Sequence, residues 1–304
     1  MNATWTAWPM PRPLPEGSCI GVVAPAGPAP QAMVDQVAPW LAAQGWRSRV
    51  FPGCHQRLPY LAGDDDTRLA DLHAAFADPE VDGVVCLRGG YGSARLLDRI
   101  DTALLARHPK PFVGYSDITA LHGLLHRHAG MAAWHGPMLS SDLLRPGRED
   151  CAAALVAALR RDWRAGDALP CGDAVPQTLV PGRASGPLLG GNLAIIASLL
   201  GTPWALDLRG AVLFIEEVGE EPYKVDRLLT QLRLAGVLAQ AAGFVVGRFS
   251  EAADPAEVIA GFLAPLGKPA LTGWPTGHGA PHLPLPIGVG VELDAGAGTL
   301  RLVV

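Results

Sequence analysis

The sequence predicts an α/β protein whose N-terminal half contains a doubly wound parallel sheet. In that half, apolar runs too short to form helices alternate with segments that carry apolar residues at helical spacing. This alternation is typical of a parallel sheet that is covered by helices on both faces. A second observation is the composition, 49% hydrophobic and 17% charged, which excludes intrinsic disorder and favours a large buried core.

The predicted elements of the first half follow in chain order. Strands are predicted at 20–24, 46–51, 82–87 and 111–114. Helices are predicted at 31–44, after the acidic run 64–66, through Leu96 and Leu97, and from Ser116 to about His128. We interpret the acidic run as a helix start, since carboxylates stabilise the positive end of the helix dipole. Sites in parallel sheets lie at the carboxyl ends of strands, and the two sharpest turns, after Leu87 and Gly114, fall there.

The second half begins after a change in composition at 162–187. This stretch lacks helical periodicity and is rich in Gly, Pro and Asp, which is typical of a connection between domains. We therefore predict an N-terminal domain at 1–165, a linker at 166–186 and a C-terminal domain at 187–304. Beyond the linker, helices are predicted at 192–200, 225–234 and 255–263, and strands at 211–216, 243–247, 287–293 and 299–303, the last two joined as a hairpin.

Charge, hydropathy and cysteine usage exclude several classes of partner. The net charge is -5 and no basic stripe is present, so no nucleic-acid partner is expected. No apolar stretch has the length of a membrane span, and the N-terminus lacks the features of a signal peptide, so no membrane partner is expected. The five cysteines are an odd number at irregular spacings, which predicts reduced thiols in a cytoplasmic protein.

Ser116 is the first candidate for chemistry. It lies between an apolar strand and an amphipathic segment, where a strand–turn–helix junction projects a hydroxyl above the sheet and aims helix amides at a reacting group. The segment 114–118 has the first glycine of a nucleophile elbow and lacks the second. A serine before an acidic residue at a helix start is most often an N-cap, and spacing alone favours that interpretation.

The turn at 88–92 is the second candidate. Its adjacent glycines, Gly89 and Gly90, let backbone N–H groups approach a ligand closely. The spacings of the dinucleotide and Walker phosphate loops are both absent. An oxyanion hole and a plain tight turn therefore remain as the two main interpretations.

The third candidates are acids and histidines in the second half. Glu216 and Glu217 end a strand whose two faces are both apolar, so the alternation of side chains does not choose between them. An acid at the end of a buried strand is suited to orient a catalytic histidine. His278 lies in a loop rich in Gly and Pro and is suited to act as a general base, although a surface histidine is the default.

His122, His126 and His128 follow Ser116 on its predicted helix. A pair at positions i and i+4 has a spacing that can bind a metal ion, but the H-E-x-x-H pattern is absent. We interpret the three histidines as polar positions on a half-buried helix, and no metal or cofactor is expected.

Five motifs in this order resemble one family. They are RGGYG at 88–92, GYSDIT at 114–119, GGNL at 190–193, IEEVGEEPY at 215–223 and GHGAPHLPLPIG at 277–288. Together with 20–28 and 60–92, they resemble the LD-carboxypeptidases, or muramoyltetrapeptide carboxypeptidases, serine peptidases whose family also holds the microcin C self-immunity proteins. The resemblance extends from about residue 14 to the end. It implies a flavodoxin- or Rossmann-like N-terminal domain and a C-terminal mixed α/β domain with a β-barrel-like sheet.

The resemblance also implies site residues. It assigns Ser116 as nucleophile, His278 as general base and Glu216 as the acid that orients the base, with Glu217 as the fallback acid. The implied oxyanion hole consists of the backbone N–H groups of Gly90 and Asp117. The implied substrate-binding residues are Arg88, Gly89, Tyr91 and Asn192. Arg88 is suited to bind the terminal carboxylate of the substrate, and the alternative is a structural role in holding the turn. For Asn192, a helix cap is favoured over contact with the substrate backbone.

The implied activity is release of terminal D-alanine from the L,D bond of murein tetrapeptides in cell-wall recycling. The tetrapeptide would be free or attached to muramic acid or UDP-N-acetylmuramic acid, and the enzyme would be a cytoplasmic homodimer. One alternative is a hydrolase of acyl-sulfamoyl adenylates, which needs an aromatic contact for the base from Trp134, Trp204 or Trp274. An alternative of another class is a non-catalytic module that binds murein peptides.

Overall fold

The structure of the protein is a computed structural model, and it describes residues 6–303. The described residues form two compact units. One comprises residues 11–162, and the other comprises 163–303 together with 6–10. The segment predicted as a linker, 166–186, contains a strand and the beginning of another and is counted with the second unit. The domain boundary within 166–186 stays a prediction.

The first unit contains the predicted parallel sheet. Its strands are β1 (Cys19–Val23), β2 (Arg47–Val50), β3 (Gly83–Cys86), β4 (Phe112–Gly114) and β5 (Ala133–His135). They pair in parallel in the order β5-β4-β3-β1-β2. All residues of β1, β3 and β4 are buried, as expected for apolar strands covered on both faces. The direction of chain progression reverses between β1 and β3, which is where ligands bind in sheets of this type.

The helices of the first unit begin and end where local sequence signals favour it. They are α1 (Gln31–Ala43), α2 (Asp65–Ala77), α3 (Thr102–Arg107), α4 (Thr119–Leu124) and α5 (Glu149–Arg160). The carboxylate of Asp64 accepts a hydrogen bond from the Thr67 backbone N–H at 2.7 Å and caps α2. The interpretation of the acidic run as a helix start is therefore confirmed.

Two predicted elements of the first unit differ in the structure. The helix expected through Leu96 and Leu97 is a 3-10 turn, Ser93–Leu96, which follows Gly92 at a φ of +129°. The helix expected from Ser116 consists of a 3-10 turn, then α4, then a π turn at Leu125–Ala129. The turn Ser93–Leu96 is held by hydrogen bonds between Ser93 and Asp117, described below.

The second unit contains a curled, mixed seven-stranded sheet, in agreement with the barrel-like sheet that was expected. Its strands are β6 (Gln177–Val180), β7 (Arg183–Asn192), β8 (Val212–Val218), β9 (Gly243–Ser250), β10 (Ala270–Thr272), β12 (Gly290–Asp294) and β13 (Thr299–Leu302), and a short strand of the same unit outside this sheet is β11 (Leu285–Ile287). The order of the seven strands in the sheet is β13-β12-β7-β8-β9-β10-β6. The four strands from β7 to β10 are parallel. The predicted terminal hairpin is confirmed as β12 and β13, whereas the single strand expected at 287–293 is divided at Gly288, whose φ is +93°.

The helices of the second unit are α6 (Leu193–Ser198), α7 (Pro222–Leu234) and α8 (Ala256–Leu263). The buried face of α7 consists of Val225, Leu229 and Leu232, at the spacing of one helical stripe. Between residues 6 and 303, none of the helices combines the length and the apolar character that crossing a membrane requires.

Candidate active site

Ser116 lies in a tight turn at the carboxyl end of β4. Its φ is +62°, and within the described part of the chain Glu251 is the other non-glycine residue with positive φ. Such a conformation costs a residue with a side chain roughly 1–3 kcal/mol and is concentrated at active sites. An N-cap has an extended backbone, and here Tyr115, at a φ of -157°, occupies that position. The N-cap interpretation of Ser116 is therefore wrong, and its backbone has the strain of a nucleophile elbow.

The glycine turn after β3 lies directly against Ser116. A Cβ placed on Gly89 would lie 3.0 Å from Cβ and 3.3 Å from Oγ of Ser116, so a larger residue at position 89 would crowd the serine side chain. Gly90 has a φ of +107°, which glycine adopts without strain. The carbonyl oxygen of Gly89 accepts a hydrogen bond from the Gly27 N–H at 2.9 Å, which connects this turn to the segment after β1. The structure thus brings the first two sequence candidates together.

Asp117 joins these turns through its side chain and its backbone. Its Oδ2 accepts a hydrogen bond from the Ser93 N–H at 2.8 Å, and its carbonyl oxygen accepts one from Ser93 Oγ at 2.6 Å. Asp117 is buried, and burial raises the pKa of its carboxyl group, while the bonds from Ser93 oppose that rise. Asp117 therefore fixes the orientation of the turn at 88–92 relative to Ser116.

Arg68 is a buried residue of this region that sequence reasoning missed. Its Nη1 donates hydrogen bonds to the carbonyl oxygens of Pro25 at 2.5 Å and of Gly92 at 2.9 Å, and its guanidinium forms an ion pair with Asp65. It thereby connects α2 to the segments that follow β1 and β3. No local signal identifies such a residue, because its partners lie 43 and 24 positions away in the chain.

Arg88 and Tyr91 occupy the same turn with different exposure. Arg88 is half-buried and donates from Nη1 to the carbonyl oxygen of Pro28 at 3.0 Å, which is the structural role that rivalled carboxylate binding. Burial lowers the pKa of Arg88, and the nearby charge of Arg145 lowers it further. Tyr91 is 50% exposed, and its ring meets that of Tyr60 edge to face at 5.8 Å.

Glu216 and His278 form a pair in the second unit. Oε2 of Glu216 lies 2.7 Å from Nδ1 of His278 and accepts a hydrogen bond from the backbone N–H of His278 at 3.2 Å. Glu216 is fully buried, and the side chain of His278 is 17% exposed. A carboxylate at Nδ1 selects the tautomer in which Nδ1 carries the proton, which leaves Nε2 as the basic nitrogen.

Glycine is required beside this pair. A Cβ on Gly277 would lie 2.8 Å from Oε2 and 2.9 Å from Cβ of Glu216, and the φ of Gly277 is +120°. The loop that carries His278 is also held by Arg248, whose backbone N–H donates to the Thr276 carbonyl at 2.9 Å and whose Nε donates to the Pro281 carbonyl at 3.1 Å. Arg248 is a second residue that sequence reasoning missed, since it lies 33 positions from Pro281.

Glu217 makes different contacts from Glu216. Its carboxylate accepts hydrogen bonds from Nδ2 of Asn192 and from the Ala194 backbone N–H, both at 2.7 Å. Oδ1 of Asn192 accepts a hydrogen bond from the Ile195 N–H at 3.1 Å, so the interpretation of Asn192 as the cap of α6 is confirmed. The structure thus separates the two neighbouring glutamates, since it places Glu216 against His278 and Glu217 against Asn192.

The remaining candidates lie mainly in the interior. The ring of His122 is 1% exposed and packs edge-on against Phe112 and His135 at centroid distances of 6.1 and 6.0 Å. His126 is half-buried and His128 is exposed. Among the three tryptophans considered for a nucleobase contact, Trp134 and Trp274 are each 1% exposed and belong to the core, while Trp204 is half-buried.

In a comparison with known protein families, two segments of the chain match family models. Residues 20–136 match the LD-carboxypeptidase N-terminal domain, and residues 185–293 match the LD-carboxypeptidase C-terminal domain. A probable murein peptide carboxypeptidase of Bacillus subtilis is 39% identical over 298 residues, which cover 95% of this chain and 92% of the relative. The murein tetrapeptide carboxypeptidase of Pseudomonas aeruginosa is 33% identical over 290 residues, which cover 90% of this chain and 92% of the relative.

Solved structures agree with these matches. The muramoyltetrapeptide carboxypeptidase from Oxalobacter formigenes is similar with a TM-score of 0.80 and 30% identity, covering 94% of this chain and 98% of that one. The microcin C7 self immunity protein in its wild type apo state has a TM-score of 0.91 at 21% identity, over 97% of this chain and 98% of its own, which shows the shared fold. From the two matched domains and these relatives, the chain belongs to the LD-carboxypeptidase family.

Proposed function

We propose that the protein is a serine-type LD-carboxypeptidase that hydrolyses the L,D-peptide bond of murein tetrapeptides and releases the terminal D-alanine. The observation that carries the proposal is the contact between Glu216 and His278, in a chain whose Ser116 has the strained backbone of a nucleophile elbow. The names of the relatives in Bacillus subtilis and Pseudomonas aeruginosa support a murein peptide as the substrate.

The proposed reaction is an acyl transfer through a Ser-Glu-His triad. Oγ of Ser116 attacks the carbonyl carbon of the bond that precedes D-alanine, and Nε2 of His278 takes the hydroxyl proton. The C–N bond then breaks, and the imidazolium returns the proton to the leaving amine. Water, deprotonated by His278, hydrolyses the acyl-enzyme and restores Ser116. The charge of Glu216 stabilises the imidazolium in both steps.

The remaining groups would bind the substrate and stabilise the transition state. We assign the oxyanion hole to the backbone N–H groups of Gly90 and Asp117, and loss of one donor from such a hole costs on the order of 3 kcal/mol. Arg88 is proposed to bind the terminal carboxylate, since its guanidinium fork matches that geometry. Gly89 and Tyr91 would line the same subsite.

The proposed setting is cell-wall recycling in the cytoplasm, with the protein as a homodimer. Murein tetrapeptide would be accepted free or attached to muramic acid or UDP-N-acetylmuramic acid. A peptide of this kind carries several carboxylates, which agrees with an arginine beside the nucleophile turn.

A direct experiment uses purified protein with free tetrapeptide and with UDP-N-acetylmuramoyl-tetrapeptide, each with diaminopimelate or lysine at the third position. Mass spectrometry should detect the tripeptide and free D-alanine, and the same peptide ending in L-alanine should remain intact. A tetrapeptide that binds but is never cleaved would overturn the proposal and favour the non-catalytic module. Cleavage of an acyl-sulfamoyl adenylate in place of the tetrapeptide would favour the self-immunity activity.

A second experiment tests the nucleophile. A fluorophosphonate probe should label the wild-type protein at Ser116 and should not label the Ser116→Ala variant. A Ser116→Ala variant with full activity would contradict the assignment.

A further inference from the structure

Glu217 is a buried carboxylate that the proposed reaction does not use. It is 3% exposed, and three N–H groups donate to it: Nδ2 of Asn192 at 2.7 Å, the backbone of Ala194 at 2.7 Å and the backbone of Val218 at 2.9 Å. All three partners are donors, so they favour the ionised carboxylate, which only accepts hydrogen bonds. Burial raises the pKa of Glu217, as does the neighbouring charge of Glu216.

The contacts of Glu217 join three elements at the position of Glu216. Asn192 ends β7 and is the register partner of Glu216 on β8, whereas Ala194 belongs to the first turn of α6. Val218 is the last residue of β8. One carboxylate therefore holds the end of β8 to both the end of β7 and the start of α6.

The pairing of β8 with β9 is irregular at the same position. Ile215 pairs with Val246 and Glu217 pairs with Phe249, so two residues of β9 lie opposite the single residue Glu216. Bulges of this kind re-aim side chains and occur next to active sites. At Glu216 the regular ladder is interrupted on the β9 side, whereas on the β7 side Glu216 remains in register with Asn192.

We propose that Glu217 is a positioning residue, which fixes the end of β8 through Asn192 and Ala194 so that Glu216 presents its carboxylate to His278. This inference rests on the proposed function, because it assigns Glu217 to the support of the same acid–base pair. It also gives Asn192 a defined role. Both polar ends of its side-chain amide are engaged within the protein, one by Glu217 and one by the Ile195 N–H.

The principal test is the Glu217→Gln variant, which keeps the shape of the side chain. A glutamine has one acceptor oxygen, so it must turn its NH2 group towards at least one of the three donors. We expect kcat for tetrapeptide to fall about 100-fold, as for a small misplacement of a catalytic group, with KM unchanged. The downfield proton resonance of the His278 Nδ1–H should shift, because its distance to Glu216 changes.

The matched control is Asp71→Asn. Asp71 is also a buried carboxylate with a backbone donor, the Gly53 N–H at 2.6 Å. This control should change the free energy of unfolding without changing kcat or the His278 resonance. If Glu217→Gln behaves like the control, Glu217 is merely structural and the proposal is wrong. If KM rises while kcat is unchanged, Glu217 and Asn192 bind substrate, and the proposal is also wrong.

A second variant keeps the test decisive if Glu217→Gln does not fold. In Asn192→Ser, the hydroxyl can still cap α6, but the donor to Glu217 is removed. This variant should lower kcat and shift the His278 resonance in the same direction. Absence of tetrapeptide cleavage by the wild-type protein would overturn the proposed function, whereas the resonance needs no substrate and still tests the role of Glu217.

Discussion

One oxygen atom of Glu216, Oε2, lies 2.7 Å from Nδ1 of His278 and 3.2 Å from the backbone nitrogen of the same residue. The imidazole ring and the backbone that carries it are therefore held by the same carboxylate. Because Glu216 is fully buried, water does not compete for this oxygen. The orientation of the proposed base and its position thus depend on a single acid.

Replacing Glu216 by glutamine should abolish most of the activity. An amide can present its NH2 group to Nδ1 and so favour the wrong tautomer of His278, which in an equivalent triad lowers kcat about 10⁴-fold. Steady-state cleavage of tetrapeptide measures the effect. Glu220→Gln is the control, since Glu220 pairs with Lys224 across one turn at 3.3 Å and should tolerate the change. Comparable activity of the two variants would contradict the role of Glu216.

Replacing Gly89 by alanine should impair catalysis more than folding. The added Cβ would lie 3.3 Å from Oγ of Ser116 and 3.4 Å from Cε of Met138, so the serine hydroxyl must move. We expect kcat to fall about 10–100-fold, because misplacement of a reacting group is costly. Gly261→Ala is the control, since nothing lies within 4 Å of a Cβ there. Full activity of Gly89→Ala would show that Oγ is not confined by this turn.

Substitution of Ser116 by glycine should stabilise the protein while it removes the proposed nucleophile. The φ of +62° is unfavourable for serine and alanine and favourable for glycine. Ser116→Gly should therefore unfold with a free energy about 1 kcal/mol higher than Ser116→Ala, measured with urea. Both variants should be inactive, with kcat lower by about 10⁶-fold.

Glu251 provides the comparison for this effect. Its φ is +60° and its side chain is exposed. The free energy of unfolding of Glu251→Gly should therefore be about 1 kcal/mol higher than that of Glu251→Ala, and both variants should retain full activity. Equal stability of Ser116→Gly and Ser116→Ala would show that the turn is not strained.

His122 should make the stability of the protein depend on pH in the acidic range. Burial lowers its pKa from 6.5 to about 3, so the folded protein keeps the ring neutral while the unfolded chain binds a proton below pH 6.5. The stabilisation is complete above pH 6.5 and is lost as the pH falls towards 3, by about 1.4 kcal/mol per pH unit.

The His122→Leu variant isolates this contribution. The free energy of unfolding is measured with urea at neutral pH and at about pH 5. Its decrease between the two pH values should be about 2 kcal/mol larger for the wild type than for the variant. Identical pH dependence of the two proteins would mean that His122 is protonated in the folded state or reaches solvent.

The sequence predicted most strands and helices because apolar periodicity reports directly on burial. It missed β5 and β10, whose three residues each are too few to show a period. It also missed β6 and β7, which begin in the Gly- and Pro-rich stretch taken for a linker, and the helices α3 and α5. It also predicted a helix where Ser93–Leu96 forms a 3-10 turn, since the contacts with Asp117 that fix this turn are distant in sequence. Gly288 divides a strand that apolar composition alone makes continuous.

The order of the motifs along the chain was sufficient to identify the candidate residues of the site. It did not predict which of these residues contact one another. Alternation along β8 did not distinguish Glu216 from Glu217, because both faces of that strand are apolar and buried. The distinction depends on Asn192 and on the irregular pairing of β8 with β9. Arg68 and Arg248 were missed for a related reason, since a charged side chain that holds a distant carbonyl leaves no local pattern.

The close approach of Gly277 to Glu216 limits how this protein can change over evolution. A side chain of any size at 277 would take the space of the carboxylate that orients His278. Replacement of the glycine beside Glu216 therefore requires the carboxylate to move, and with it the hydrogen bond to His278. The constraint is local to this contact, and exposed positions such as Tyr60 and Tyr91 are not subject to it.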